Sequence, residues 1–254
     1  MRQRIRPGRF SSLVGLEGAM RNCLFTLALA MLVLLPLVGT NSQVTTAPTE
    51  EEILRHPVTP VSDVPLPTTQ EFVRALVDAS VPGGVVTVGG CGAEPEQTVR
   101  ATGPTLGDVL RTIVKADLRY RWNIEDGVVN LVPSKGLPAM MAMRINEFDS
   151  EDATSVLDAG GRIFHLPAVL QAETGLKLTQ SPGHQFLTAI NLHPSDNEPP
   201  PKPLSVHFRD LTLREGLNAL VRASGKAVWQ YREWHCKGIN GFDTHFSEPG
   251  SGGG

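Results

Sequence analysis

Two stretches of this 254-residue chain align without a gap at an offset of 107 positions. The first, VRATGPTLGDVLRTIVKADLRYRWNI, starts at Val99; the second, VHFRDLTLREGLNALVRASGKAVWQY, starts at Val206. Thr105 matches Thr212, Leu106 matches Leu213, Leu110 matches Leu217, Val114 matches Val221, Ala116 matches Ala223 and Trp122 matches Trp229. A Thr-Leu pair, a Leu four residues on and a Trp at one fixed distance demand a fold in which one supersecondary unit is built twice.

Each copy has a local physical reading. Thr105 and Thr212 stand where a hydroxyl accepts from the first free amides of a helix, and Asp108 and Glu215 supply the reciprocal acidic partner of a capping box. Leu106, Val109, Leu110, Ile113 and Val114 then share one helical face. So do Leu213, Leu217, Leu220 and Val221, with Gly216 leaving room for a close neighbour. Short strands precede the helices (99–101 and 206–208) and follow them (120–124 and 227–231), and Asp126-Gly127 turns the first copy into a hairpin with 128–132.

Further elements precede each copy. TTQEFVRALVDASV, boxed at Thr68 and Glu71, predicts a helix, and 85–88 a strand; ahead of the second copy, 149–157 and 166–173 read as helical, with Pro167 in a first turn, and 176–178 as a strand. The expected class is α+β: two related small modules, over 68–135 and 145–240, each with helices packed on a short mixed sheet. Trp122 and Trp229 are expected to plug the two helix–sheet cores.

The N-terminus sets a compartment. Residues 23–38, CLFTLALAMLVLLPLV, carry no charge and follow Arg2, Arg4, Arg6, Arg9 and Arg21. This is the basic and then apolar pattern of a secretory signal over residues 1–40, with small residues at Gly39, Thr40 and Ser42 for cleavage and Met20 as a second possible start. The run contains Pro36 and falls short of the about 20 apolar residues a spanning helix needs, so cleavage is favoured over retention as an anchor. The whole chain has a net charge of -3; without its first 40 residues it keeps 18 basic and 25 acidic residues, a net charge of -7. No basic field invites nucleic acid, and the expected location is periplasmic or secreted.

Residues 41–67, with a proline every few positions and the acidic run Glu50 to Glu52, read as a tether. PSDNEPPPKP, residues 194–203, reads as a Pro-rich insertion in the second module, and 241–254 as a disordered tail. Beyond the signal only Cys91 and Cys236 remain. In an oxidising compartment they are candidates for one disulfide, the alternative being two unpaired thiols.

The stretch VRATGPTLGDVLRTIVKADLRYRWNIEDGVVNLVP, and LSVHFRDLTLREGLNALVRASGKAVWQYREW in the second half, resemble the short N-terminal domain of secretins and TonB-dependent receptors. The resemblance covers about half of the chain beyond the signal. It implies a periplasmic βα module that recognises other proteins, in the family placed ahead of a secretin ring or receptor barrel. Taken as given, the chain leaves no room for either, so the expectation is a free-standing adaptor with an envelope protein as partner.

Catalytic signals are sparse. No Gly-x-Ser-x-Gly elbow is present, and the glycines at 89–92 lack the Lys-Ser/Thr ending of a phosphate loop. Glu151-Asp152 read as helix-start charge. His235, Cys236 and His245 form the densest ligand group, but no second pair stands at zinc spacing, so neither a metal, a cofactor nor a catalytic residue is assigned. Tyr231, Arg232, Trp234 and His235 concentrate residue types favoured in binding hot spots and form the candidate partner patch. The expectation is therefore a protein–protein module and not an enzyme. The rivals are a small secreted hydrolase with dispersed catalytic residues and a cell-wall or carbohydrate binder, which would need Tyr231 and Trp234 coplanar and facing solvent.

Overall fold

The computed structural model describes residues 48–58, 64–90, 95–181 and 203–248. The expected signal over residues 1–40, Cys91, nearly all of the Pro-rich insertion and residues 249–254 lie outside them. The first half runs α1 (Glu50–Leu54), β1 (Leu66–Pro67), α2 (Thr68–Ala79), β2 (Gly83–Gly90), β3 (Thr98–Val99), α3 (Leu106–Ala116), β4 (Tyr120–Glu125) and β5 (Val128–Pro133). The second runs α4 (Ala139–Ala142), β6 (Arg144–Ala153), α5 (Val156–Phe164), α6 (Pro167–Leu176), β7 (Thr179–Gln180), β8 (Leu204–Thr212), α7 (Leu213–Ser224), β9 (Val228–Cys236) and β10 (Ile239–Ser247). The class is α+β.

One element order recurs: strand, helix (two, α5 and α6, in the second half), strand, strand, helix, then a hairpin. In each half the first and third strands make a two-stranded sheet, β1–β3 and β6–β8, while the hairpin and second strand join a common six-stranded sheet in the order β4-β5-β2-β9-β10-β7. Both hairpins are antiparallel and each pairs in parallel with its own second strand, β5 with β2 and β10 with β7. The halves meet where β2 pairs in parallel with β9, from Gly83 opposite Val228 to Gly90 opposite His235.

Strand alternation sends the two cores to opposite faces of this sheet. Val85, Val129, Leu131 and Val228 pack with Phe72, Leu76, Leu110 and Ile113 of α2 and α3. Their neighbours Val86, Val128, Val132 and Trp229 pack with α5, α7 and the β6–β8 ribbon. The tryptophans part company accordingly. Trp229 is fully buried and donates from Nε1 to Asn218 Oδ1 at 2.9 Å, whereas Trp122 on edge strand β4 is only partly buried against the first core.

Helix starts follow the capping chemistry in the repeat. Thr212 and Glu215 form a complete box on α7; Thr105 caps α3, accepting from Asp108 N at 3.3 Å. Thr68 and Glu71 do not make a box. Thr68 Oγ1 lies 3.0 Å from both Gln97 O and Asp117 Oδ2, and Glu71 is buried beside Arg74 and accepts from Ala101 N at 3.1 Å. These residues tie α2 to its neighbours instead of closing its end.

Four other expectations are corrected. The tether is partly built in: Thr49 and Glu52 box α1, Ile53 and Val58 are buried in the first core, and Leu106 N donates to His56 O at 2.9 Å. Residues 149–153 belong to β6 rather than to a helix, so Glu151 and Asp152 are strand charges. Phe148, Ser150 and Ala153 turn inward against β8, with Phe148 and Phe208 rings 5.2 Å apart, and the helix waits for Ser155, which caps α5 by accepting from Asp158 N at 3.1 Å. Leu176 ends α6 and Lys177 takes the left-handed cap conformation, which pushes β7 to Thr179–Gln180. Residues 241–247 are not a tail; they pair with β9 along β10, where Phe242 sits in the second core and Phe246 packs against it.

Candidate functional site: an apolar groove at the end of the sheet

The parallel strands β5, β2 and β9 all end at one edge of the sheet, and beyond them lies a groove of about 750 Å³. Val88 of β2, Leu118 after α3, Leu137 after β5, and Leu176 and Leu178 around the end of α6 form its apolar walls. Leu118 is 81% exposed, and Val88, Leu137 and Leu176 also keep large exposed fractions. Soluble surfaces rarely gather such side chains without a partner.

The groove has a polar floor. Glu233 is buried on β9 and holds two hydrogen bonds: Tyr231 Oη donates to Oε2 at 2.5 Å, and His235 Nε2 lies 2.7 Å from Oε1. Burial, the bond to Glu233 and the surrounding carboxylates push the Tyr231 hydroxyl far above its ordinary range, so it remains a proton donor to Glu233. Glu173 of α6 is raised by burial, partly offset by His165, and its Oε1 is buried without a hydrogen-bond partner.

Alternation divides the four residues expected to form one patch. Tyr231 and His235 face the groove side with Glu233, while Arg232 and Trp234 project from the opposite face. Tyr231 is fully buried, stacked on Phe242 with centroids 5.6 Å apart. It is therefore not part of an exposed aromatic patch, and it cannot share a sugar-binding plane with Trp234. Arg232 Nη2 pairs with Asp243 Oδ2 at 2.6 Å and its guanidinium lies 5.8 Å from the Trp234 ring centroid. Burial opposes the charge of Asp243, yet the bonds from His245 and Arg232 hold its carboxyl below the usual range. Cys236 closes β9.

The groove offers no assembled nucleophile among the residues that line it. Ser134 stands near its rim, but its hydroxyl donates to Leu118 O at 3.0 Å. Among the described residues no three His, Cys, Asp or Glu side chains come together as metal ligands, and no helix is long and apolar enough to cross a membrane.

The sequence reading missed the groove residues, although a signal for Leu118 was present. In the repeat it aligns with Gly225, which takes φ of 81° to end α7. An apolar side chain at a position that the other copy gives to a turn glycine has been placed where it packs on nothing of its own.

No protein-family model, curated protein or solved structure matches the chain.

Proposed function

We propose that this is an exported protein–protein interaction module, similar to the short N-terminal domain of secretins and TonB-dependent receptors and duplicated within one sheet, whose groove receives an apolar segment of an envelope partner. The observation that carries the reading is the exposed leucine rim around a groove large enough for one or two bulky side chains. Glu233 and His235 at the floor supply the few polar contacts that would fix a peptide's orientation. The signal-like N-terminus and the recurring order of elements support the compartment and the duplication.

A photo-crosslinking residue in place of Leu118 tests the docking site in intact cells, with the exposed Arg209 position as control. Capture of one discrete partner from 118 alone, reduced by an excess of the wild-type chain but not by an excess of its Leu118→Asp variant, is expected; identical products from both positions would sink the groove. Recovery of a chain from the periplasmic fraction that still begins before residue 40 would refute cleavage.

Cys91 is the proposed partner of Cys236. It is supported by the pairing of Gly90, the residue before Cys91 in sequence, with His235, the residue before Cys236. Labelling of both thiols without prior reduction would overturn the pairing.

A further inference from the structure

The six-stranded sheet begins at β4, and among the described residues no strand pairs with its outer side. An edge of this kind is a template for another strand unless proline, a bulge or an inward charge blunts it, and YRWNIE carries neither proline nor a bulge. The hairpin geometry determines which groups face outward. Asp126 and Gly127 form a two-residue turn with φ of 50° and 81°, so Glu125 and Val128 are a hydrogen-bonded pair and the ladder alternates from there. Val129 agrees: its N–H points away from β4 and donates to Pro82 O at 3.1 Å. The backbone groups of Trp122 and Ile124 are therefore the ones directed outward and open, together with the carbonyl of Tyr120, whose N–H donates to Asp117 O at 3.2 Å.

We infer that β4 is a self-complementary edge that pairs antiparallel with β4 of a second copy about a two-fold axis at Asn123. Outward groups must meet outward groups, so only registers with even position sums are allowed. In the register centred on Asn123, Trp122 is hydrogen-bonded to Ile124 of the second copy, an aromatic and β-branched pair on one face. On the other face Arg121 stands opposite Glu125, twice by symmetry. The neighbouring allowed registers, centred on Trp122 or Ile124, leave Arg121 opposite Asn123 or Gly127 and lose both charge pairs. Arg121 is exposed and makes no ion pair among the described residues, while Glu125, bound at 2.5 Å by Arg214, has its second oxygen held by Asn123. The pairing gives Arg121 its missing partner and joins two sheets into one.

The test uses the full chain as the cell processes it, by sedimentation. The wild type is expected to dimerise, Arg121→Glu to weaken the dimer at least about tenfold through two reversed charge pairs, and Glu125→Arg to do the same. An equimolar mixture of the two variants should recover the dimer, because each then presents the charge that the other lost. A monomeric wild type at about 100 μM, or a dimer indifferent to Arg121→Glu, overturns the proposal. Asn123→Cys provides a check independent of charge. Thiols on the axis should be joined between copies, with oxidised glutathione as the electron acceptor, faster than those of Arg209→Cys; equal rates refute the register. Leu118→Asp should leave the dimer intact, which separates failure of this interface from failure of the groove.

Discussion

The two halves share an order of elements and differ in what their second strand does. In the first half β2 is eight residues long and lies between β5 and β9, paired on both sides. Its counterpart β7 has two residues and, among the described residues, pairs only with β10. The first half thus lends its central strand to the second, and the sheet is a chain of two units joined through a shared seam. A recurring order of elements need not make two domains: it can spend its edges on itself, and each half is then free to bury its helices on a different face.

The strongest way to break this comparison is through its tryptophans. Trp229→Ala should cost about 3–5 kcal/mol in chemical denaturation, because the indole is sealed in the second core with its N–H bonded to Asn218. Trp122→Ala, on the half-buried edge, should cost less than half as much; equal losses would contradict the unequal burial. Next in size is the seam. A Cβ at Gly84 would lie 2.2 Å from Trp229 Cε2, so Gly84→Ala should destabilise by about 1–3 kcal/mol through overpacking. Added bulk at Gly89, where a Cβ meets nothing within 4 Å, should be nearly silent.

Smaller again are the caps. Thr212→Ala removes a complete box and should cost about 1 kcal/mol, with Thr105→Ala somewhat less because the reciprocal backbone bond is the weaker feature of α3. A thermal melt of each variant would order them. The smallest effect is the pH limb. Hydrogen bonds from Arg119 lead the lowering of Asp117 in the first half, and those from His245 and Arg232 overcome burial at Asp243 in the second. Both folded-state values lie below the unfolded ones, so their contribution is present above the ordinary Asp range and is lost as pH falls through the folded values. Asp243→Asn should lower the urea midpoint near neutrality, where the wild type has this contribution, and flatten the acid side so that the two profiles converge as pH falls; a steeper acid side would reverse the sign.

Much of the framework was legible where local chemistry and tertiary need agree. The helices after Thr105 and Thr212 and the Asp126-Gly127 turn were read from capping and turn residues because those preferences act within four positions. Residues 149–153 were not, since their conformation is decided by Phe208 and the β8 ladder, far away in sequence. β10 was missed because glycines beside it suggested a loose end, although Phe242, Thr244 and Phe246 alternate as a strand should. The candidate site was the least legible part. Residue types favoured for binding stand close together in sequence, but alternation put Tyr231 and Trp234 on opposite faces, and the groove draws its walls from four separate segments.

The seam also sets an order of events. β2 is made early and β9 late, with more than half of the described chain between them, and contacts so distant in sequence form slowly. Until β9 arrives, the long parallel edge of β2 is open to any extended segment nearby, so the period between synthesis of the two halves is when this chain is most exposed to mispairing and most dependent on chaperones.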